Sequence, residues 1–270
     1  MVVFPNAKIN LGLHIVKKRD DGYHNIESVL IPVPINDALE ITVNKKRKTE
    51  FSTTGIKIPS DGKINLVERA FILLSESYEI PTVDLDLLKN IPIGAGLGGG
   101  SSDAASCLLG LNNLFNLNIS EKKLLSLSAQ LGADCSFFVK NKIVFTEGIG
   151  DVFTDLDINF STYKFVVIYP EIHVSTIDAY KHIKPKKHTK DIRDILKQPI
   201  ETWRNELKND FEESVFKLYP KITKVKQEIY NSGAAYASMS GSGSAVFGIF
   251  KADPKTNFDH LGKNWSFSIH

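Results

Sequence analysis

The sequence predicts an α+β fold divided between two domains. Helix-like and strand-like segments are mixed along the chain without the regular strand–helix–strand rhythm of a doubly wound parallel sheet. Hydrophobic residues make up 42% of the 270 residues, which is enough for substantial cores. We therefore expect an N-terminal domain over 1–154 and a C-terminal domain over 155–270.

The N-terminal half begins with an alternating pattern. Apolar and less apolar residues alternate from Ile9 to Ile15, which predicts a half-buried strand. Asn65 and Ser120 precede apolar residues at helical spacing and are expected N-caps. The elements expected here are strands over 9–15 and 39–43 separated by a turn over 19–24, a helix after Asn65, a strand over 83–87, a helix from Ser120 to Gly132 and a strand over 143–146.

The C-terminal half combines apolar strands with amphipathic helices. An apolar run ending at Pro170 predicts a strand, and a helical pattern is interrupted near Pro220. The elements expected here are a strand over 163–169, helices over 176–183, 191–198 and 202–232, strands over 234–239 and 245–250, and a last strand over 266–269.

The stretch over 92–106, PIGAGLGGGSSDAAS, carries five glycines within seven positions. Glycine lets the backbone approach a ligand closely. Ser101 and Ser102 are the expected N-cap of the apolar helix that follows. Backbone amides and the helix dipole together favour an anion at such a position, so we expect a nucleotide triphosphate there rather than a flexible linker.

This glycine pattern differs from the two common nucleotide loops. No Gly-Lys-Ser/Thr ending is present, so the loop is not a Walker P-loop. Gly94, Gly96 and Gly99 fit Gly-x-Gly-x-x-Gly, but no acidic residue ends a second strand about 20 residues later, as a dinucleotide-binding fold would need.

Charge and cysteine content exclude several classes of protein. Lys and Arg number 33 against 31 Asp and Glu, so the net charge of +2 gives no reason to expect nucleic-acid binding. The basic segments over 45–48 and 184–190 are expected to be solvated loops. Cys107 is an expected core residue, and with Cys135 it forms neither a metal-ligand spacing nor a disulfide framework. Without a signal peptide or a long apolar run, we expect a cytoplasmic protein that does not enter a membrane.

Several motifs in order along the chain carry a family resemblance. They are Ala-Lys-Ile-Asn-Leu over 7–11, Asp-Gly-Tyr-His over 21–24, the glycine stretch, Leu-Gly-Ala-Asp over 131–134, and Met-Ser-Gly-Ser-Gly-Ser over 239–244. Together they resemble the small-molecule kinases named for galactokinase, homoserine kinase, mevalonate kinase and phosphomevalonate kinase (GHMP kinases). Within that superfamily they are similar to kinases that act on a cytidine-diphosphate-linked methylerythritol.

The resemblance implies a fold and a reaction. The N-terminal domain would resemble domain 2 of ribosomal protein S5, and the C-terminal domain would be ferredoxin-like. The reaction would transfer the γ-phosphate of ATP, with Mg²⁺, to the 2-hydroxyl of the CDP-linked methylerythritol in the non-mevalonate route to isoprenoid precursors. A monomer and a homodimer are both compatible with it.

The resemblance also implies an ATP site. Amides over 96–102 would hold the phosphates, with the hydroxyl of Ser101 or Ser102 close to Mg²⁺ or phosphate. Asn65 would lie near the adenine, or would be a plain helix cap. The expected ATP-binding residues are Asn65, Pro92, Gly94, Gly96, Leu97, Gly98, Gly99, Gly100, Ser101 and Ser102, and those of the C-terminal glycine loop are Ser240, Gly241, Ser242 and Gly243.

For the chemistry, Asp134 is the expected acceptor of the proton of the attacking hydroxyl. Lys8 would position Asp134 and stabilise charge; the alternative is a structural ion pair. Relatives commonly have Val or Ile and then Pro after this Asp, whereas this chain has Cys135 and Ser136, which is expected to loosen the loop.

The acceptor site is expected around the turn over 19–24. Tyr23 and Tyr180 would stack on the two faces of cytosine, and His24 would bind its edge. In the alternative, Tyr23 covers a core edge and His24 is a solvated loop residue. The resemblance further places Asn10, Lys142 and Thr176 near the phosphates or the erythritol.

Two other function classes compete with the kinase. A serine hydrolase needs Gly-x-Ser-x-Gly at a strand-to-helix elbow, and Gly241-Ser242-Gly243 belongs instead to a Gly-Ser-Gly-Ser loop. A non-catalytic nucleotide-binding or RNA-binding module is the stronger alternative, and the near-neutral charge argues against it.

Overall fold

A computed structural model describes residues 1–46, 48–59, 62–181 and 183–269. The chain is an α+β protein, as predicted, and it forms two compact units. Unit 1 comprises Met1–Ala7, Pro34–Ile93 and Gly98–Lys142, and unit 2 comprises Lys8–Val33, Gly94–Leu97 and the chain from Ile143 on. The chain passes between the units several times, and the expected domain boundary after residue 154 stays a prediction.

Helices and strands occupy most of the described residues. The strands are β1 (Val2–Val3), β2 (Asn6–Lys18), β3 (His24–Asn36), β4 (Ala38–Val43), β5 (Glu50–Gly55), β6 (Val83–Lys89), β7 (Val144–Glu147), β8 (Val152–Asp155), β9 (Lys164–Tyr169), β10 (Tyr236–Met239), β11 (Val246–Phe250) and β12 (Lys263–Ser268). The helices are α1 (Leu66–Ser75), α2 (Gly99–Leu114), α3 (Glu121–Leu131), α4 (Cys135–Lys140), α5 (Thr176–Lys181), α6 (Ile192–Leu196), α7 (Ile200–Glu206), α8 (Phe211–Leu218) and α9 (Pro220–Asn231), with a 3₁₀ turn at Asp259–Leu261.

Unit 1 packs helices against one sheet with strand order β1-β4-β6-β5. β4 is antiparallel to β1 and β6, whereas β5 is parallel to β6. The core joins strand residues such as Ile41 and Leu85 to α1, α2 and α3. Gly110 lets α2 approach the sheet closely, because a Cβ there would lie 2.7 Å from Ile41 Cδ1. This packing fixes the axis of α2, the helix that follows the glycine stretch.

Unit 2 contains an antiparallel sheet with strand order β10-β11-β9-β12. α9 packs on it, and Gly248 in β11 allows the approach, since a Cβ there would lie 2.4 Å from Ile229 Cγ2. The second sheet has strand order β2-β3-β7-β8. Apolar residues of β2 join the core formed by β9, β11, α8 and α9.

Several sequence predictions need correction. β2 is buried on both faces rather than half-buried, because Asn10, Gly12 and His14 are as buried as their apolar neighbours. β3 was not predicted, and its two prolines obscure the strand pattern. The helical region over 202–232 is also interrupted over 207–210.

Two predicted segments include residues outside the described part of the chain. These are Arg47 in the basic segment over 45–48 and His182 in the helix expected over 176–183. In the part of the chain that the structure describes, no helix is both long enough and apolar enough to cross a bilayer.

Candidate active site

A buried polar network begins at the start of β2. Lys8 Nζ donates to Asn10 Oδ1 at 2.6 Å, and Asn10 Nδ2 donates to Ser28 Oγ at 3.0 Å. Ser28 Oγ in turn donates to the Gly12 carbonyl at 2.6 Å. The residues of this network, Lys8, Asn10 and Ser28, are each at most 4% exposed. Their hydrogen bonds therefore hold the side chains, and the strand that carries them, in one geometry.

The same network reaches both glycine loops within unit 2. Asn10 N donates to Ser240 Oγ at 3.2 Å, and Ser240 Oγ donates to the Gly96 carbonyl at 2.9 Å. Gly96 has a φ of +76°, and a Cβ there would lie 2.0 Å from the Ser240 carbonyl oxygen. Lys8 N donates to the Leu97 carbonyl at 2.9 Å. Three motifs that are far apart in sequence therefore meet here.

Further contacts fix the C-terminal glycine loop, which connects β10 and β11. Asn209 Nδ2 donates to the carbonyls of Met239 at 2.7 Å and Gly241 at 2.8 Å. Thr176 Oγ1 lies 3.2 Å from Ser242 Oγ. Because this loop is a turn between two strands, it does not form the nucleophile elbow of a hydrolase.

The second half of the glycine stretch starts α2 in unit 1. Gly98 is the N-cap, in the left-handed conformation with φ of 73°, and its carbonyl accepts from Ser102 N at 3.0 Å. The expectation that Ser101 and Ser102 cap the helix was wrong, because the glycine reverses the chain three residues earlier. The first four amides of an α-helix have no partner within it, so this end presents Gly99, Gly100 and Ser101 amides to an anion.

Charged side chains are buried next to this helix end. Lys89 Nζ contacts Asp37 Oδ2 and lies 2.7 Å from Asp103 Oδ2. Burial raises the pKa of Asp103 to about 7, with Lys89 opposing and Asp37 reinforcing the shift. Among the described residues, Asp103 Oδ1 and Ser102 Oγ are buried without a hydrogen-bond partner.

Asp134 precedes α4, at the loop that follows α3. The loop turns at Gly132, whose carbonyl accepts from Cys135 N at 3.1 Å, and leaves Asp134 half-buried. Burial raises the pKa of the Cys135 thiol to about 11. Lys8 belongs to unit 2 and Asp134 to unit 1, so their pairing stays a prediction.

Ser136 stands where the family resemblance leads us to expect a proline. Its hydroxyl lies 3.1 Å from Ser128 Oγ and donates to the Leu125 carbonyl at 3.3 Å. These bonds tie the start of α4 to α3, so the side chain provides an anchor that a proline would lack.

Asn65 is a helix cap that also lines a cavity. Its Oδ1 accepts from Val67 N at 2.9 Å, and its own N–H donates to Glu68 Oε2 at 3.3 Å, which completes a capping box. A cavity of about 1190 Å³ lies beside it in unit 1, lined also by Leu66, Arg69 and Ile93. The cap is confirmed, and the adenine contact stays a prediction.

The aromatic residues expected at the acceptor site fall in unit 2. Tyr23 is 61% exposed, so it does not cover a core edge. The His24 and Tyr180 rings stack with their centroids 4.8 Å apart, and the Tyr180 ring meets the edge of Phe211 at 4.7 Å. Desolvation, followed by the charge of Lys18, lowers the pKa of His24. His24 is thus packed against an aromatic ring rather than solvated.

Family comparisons agree with this geometry. The family described as GHMP kinases N terminal domain matches residues 65–142, and the one described as GHMP kinases C terminal matches residues 191–265. The two matches cover more than half of the chain. The chain belongs to the GHMP kinase family.

Two relatives of this GHMP kinase, from different bacteria, carry the same name. A 4-diphosphocytidyl-2-C-methyl-D-erythritol kinase of Bacteroides fragilis is 49% identical over 257 residues, covering 94% of each chain. The enzyme of that name from Azobacteroides pseudotrichonymphae is 48% identical over 274 residues, covering 100% of this chain and 99% of its own.

Solved structures support the same fold. A crystal structure of a 4-(cytidine 5'-diphospho)-2C-methyl-D-erythritol kinase matches with a TM-score of 0.81 and 30% identity, over 99% of this chain and 98% of that one. A homoserine kinase from Cytophaga hutchinsonii matches at a TM-score of 0.68 with 17% identity, over 92% of this chain and 85% of that one, which shows the fold alone. Family membership decides against the hydrolase and the non-catalytic module in favour of an ATP-dependent kinase.

Two buried clusters of this GHMP kinase were missed by the sequence reasoning. One is the Asp37–Lys89–Asp103 cluster described above. The other is in unit 2, where the His14 ring stacks on His188 with centroids 3.5 Å apart, and His188 Nε2 lies 2.9 Å from Asp210 Oδ2. Desolvation and the neighbouring His188 lower the pKa of His14 to about 4.

The amino-acid sequence contains only a weak signal for these two clusters. His14 shares one face of β2 with Lys8 and Asn10, because side chains alternate along a strand, and that register was readable from the sequence. The partners of each cluster are far apart in sequence, so their association was not.

Proposed function

We propose that this kinase transfers the γ-phosphate of ATP to the 2-hydroxyl of 4-diphosphocytidyl-2-C-methyl-D-erythritol. The product would be the 2-phosphate of the non-mevalonate route. The name shared by its close relatives supports the substrate. The observation that carries the proposal is the buried network joining Lys8 and Asn10 to Gly96 and Ser240, since it supports the loop that would face the phosphates.

ATP would bind through the backbone of the loop over 96–102. Phosphoryl transfer depends mostly on positioning and charge stabilisation, so backbone amides and a helix N-terminus suit the reaction. The positive φ of Gly96 and Gly98 aims the chain into α2. Adenine would occupy the cavity beside Asn65 and Leu66.

Mg²⁺ would arrive with the nucleotide. No cluster of three or more His, Cys, Asp or Glu side chains in the described ranges is arranged to hold a metal ion. Mg²⁺ often keeps several waters and binds few protein groups beside substrate phosphates. The buried Ser102 Oγ, which has no hydrogen-bond partner in the described part of the chain, fits such a ligand, as Ser101 does by position. When bound, the ion would neutralise charge on the phosphates.

Asp134 would accept the proton of the attacking hydroxyl. It lies at the junction of α3 and α4 and is held by the backbone turn at Gly132. The Lys8 ammonium would stabilise the carboxylate and the charge that develops on the acceptor.

The acceptor would bind in unit 2 through its base. Tyr23 offers an exposed ring, and His24 already stacks on Tyr180. Stacking of a base on an aromatic side chain is worth about 1–3 kcal/mol in nucleic-acid binders. Asn10, Lys142 and Thr176 would contact the phosphates or the erythritol.

A coupled ADP-release assay tests the function. The panel contains the CDP-linked methylerythritol, mevalonate, homoserine and galactose. We expect turnover with the first compound only. Turnover with mevalonate or homoserine alone would assign the chain to another branch of the family.

Three variants in the same assay test the residues. Asp134→Asn should reduce kcat by roughly 10²-fold or more with ATP affinity unchanged, whereas the exposed Asp86→Asn should behave as wild type. Gly98→Val should remove ATP binding, and because valine is strained at the φ of 73° found at Gly98, circular dichroism first establishes that this variant is folded. Tyr23→Ala should raise the KM of the acceptor alone, and the exposed Phe4→Ala is its control. Normal turnover in Asp134→Asn would refute the base.

A further inference from the structure

A buried ion cluster lies against the first turn of α2. Lys89, at the end of β6, contacts Asp37 on one side and Asp103 on the other, and all three are at most 3% exposed. Asp103 belongs to the second turn of α2, so Lys89 ties this helix directly to the sheet of unit 1.

The Lys89 ammonium lies close to the backbone of Gly99, at the start of α2. A Cβ added to Gly99 would lie 2.8 Å from Lys89 Nζ and 2.8 Å from Ile91 Cγ2. Real Cβ atoms do not approach that closely. The first residue of α2 is therefore glycine because a lysine side chain passes against its backbone.

Asp37 fixes the chain on the other side of the lysine. Its Oδ1 accepts from Asn90 N at 2.5 Å and from Ile91 N at 2.8 Å. One carboxylate thus holds both the ammonium and the backbone that leads from β6 into the glycine stretch. The segments before and after the loop are joined through a single lysine.

We propose that Lys89, held between Asp37 and Asp103, is a positioning residue that sets the first turn of α2 for the phosphates of ATP. This inference rests on the proposed function, which places the phosphates at that turn. Buried ion clusters contribute little net stability against apolar replacements, and their best-attested role is to fix one arrangement among several. Two buried atoms that have no hydrogen-bond partner among the described residues, Ser102 Oγ and Asp103 Oδ1, lie in the same turns of the helix.

The test replaces the whole cluster by neutral groups. The variant Asp37→Asn/Lys89→Met/Asp103→Asn removes the ammonium without leaving a carboxylate unpaired, so it is expected to fold. We expect its ATP dissociation constant to rise about tenfold, its acceptor KM to stay within about twofold, and its Tm to stay within a few degrees. Single Asp103→Asn keeps Lys89 beside Asp37 but weakens the tie between Lys89 and α2, so its ATP dissociation constant should rise by less than that of the triple variant.

Unit 1 offers a matched control on its surface. Lys46 there lies between Glu50, at 2.5 Å, and Asp84, at 3.2 Å, and the ammonium is largely exposed. Neutralising that trio by Lys46→Met/Glu50→Gln/Asp84→Asn removes the same charges and should leave ATP affinity unchanged.

A double-mutant comparison of Gly99 and Lys89 tests the inference without relying on the ATP affinity of any single variant. Gly99→Ala pushes against Lys89 in the wild type but meets a flexible methionine in the neutral variant. We expect the loss of ATP affinity caused by Gly99→Ala to be at least about threefold smaller in the neutral background.

The outcomes separate this inference from the proposed function. If Gly98→Val still binds ATP, the phosphate site itself is wrong. If Gly98→Val loses ATP while the neutral variant keeps wild-type affinity, or Gly99 and Lys89 are uncoupled, only the role of Lys89 is overturned. A parallel loss of ATP affinity, acceptor affinity and Tm would show that the cluster is merely structural.

Discussion

The two buried polar clusters of this kinase are built differently. In unit 2, the buried Lys8 ammonium donates to Asn10, and the hydrogen bonds that join β2 to both glycine loops run through neutral groups, Asn10, Ser28 and Ser240. In unit 1, the cluster around Lys89 is ionic, and Ser102 and Asp103 each keep a buried oxygen without a partner in the described chain.

This difference indicates that one cluster serves mainly stability and the other mainly ligand binding. Neutral hydrogen bonds fix a backbone at little desolvation cost, whereas buried ions are costly to desolvate and unpartnered buried oxygens add a further cost. We therefore expect the network of unit 2 to contribute to the free energy of unfolding. The start of α2 is expected to reduce that free energy while providing groups that bind the ligand.

The largest difference in stability is expected between two glycine-to-alanine variants of the glycine stretch. One lies in the part that belongs to unit 2 and the other in the part that belongs to unit 1. Gly96→Ala forces a positive φ on alanine and places its Cβ against the Ser240 carbonyl, so the free energy of unfolding should fall by about 3–5 kcal/mol. Gly100→Ala meets only Leu66 Cδ1 at 3.9 Å inside a helix, so stability should change by less than about 1 kcal/mol.

Urea unfolding measures both variants, and ATP titration completes the comparison. We expect Gly100→Ala to weaken ATP binding despite its normal stability, because the new methyl group would enter the space beside Leu66 that is proposed for the nucleotide. Equal losses of stability in the two variants would remove the distinction between the two segments.

A smaller effect should separate two buried serines. Ser240→Ala leaves Asn10 N and the Gly96 carbonyl buried without this partner, which should cost about 1–3 kcal/mol of unfolding free energy. Ser102→Ala removes a hydroxyl that has no partner in the described chain, so stability should be unchanged or slightly higher while ATP affinity falls. Thermal unfolding with and without ATP measures both, and a stability loss in Ser102→Ala matching that of Ser240→Ala would contradict the account.

The sequence predicted the regular parts of the fold for a physical reason. β6 and α3 show one clear periodicity, and burial follows it. β3 was missed because prolines interrupt its pattern, and the N-cap of α2 was misplaced because a glycine, which has no side chain to bond the helix end, performs the turn.

The candidate site was predicted in part. Local motifs indicated the glycine loops, Asp134 and Tyr23, since each motif is contiguous in sequence. The Lys89 cluster and the His14–His188 stack depend on tertiary contacts between residues that have no local pattern, so only the fold reveals them.

The smallest effect concerns pH. The folded-state pKa of His14 is about 4 against an ordinary 6.5, so the unfolded chain binds more protons between these values. Stability should therefore fall as the pH falls from 6.5 toward 4, by about 1 kcal/mol at pH 5 once solvent screening is allowed for. His14→Phe, which keeps the stacked ring, should weaken this dependence in unfolding curves at pH 5 and pH 7, and an unchanged dependence would assign it to other groups.

The central claim is the transfer of one phosphoryl group to one hydroxyl of the CDP-linked alcohol. ³¹P NMR of the enzyme with ATP, Mg²⁺ and 4-diphosphocytidyl-2-C-methyl-D-erythritol tests it directly. We predict a single new phosphomonoester signal on an acceptor that keeps its diphosphate signals, formed in step with ADP and roughly 10²-fold or more slowly with Asp134→Asn. Release of inorganic phosphate without a phosphomonoester, or a monoester formed equally by Asp134→Asn, would contradict the account.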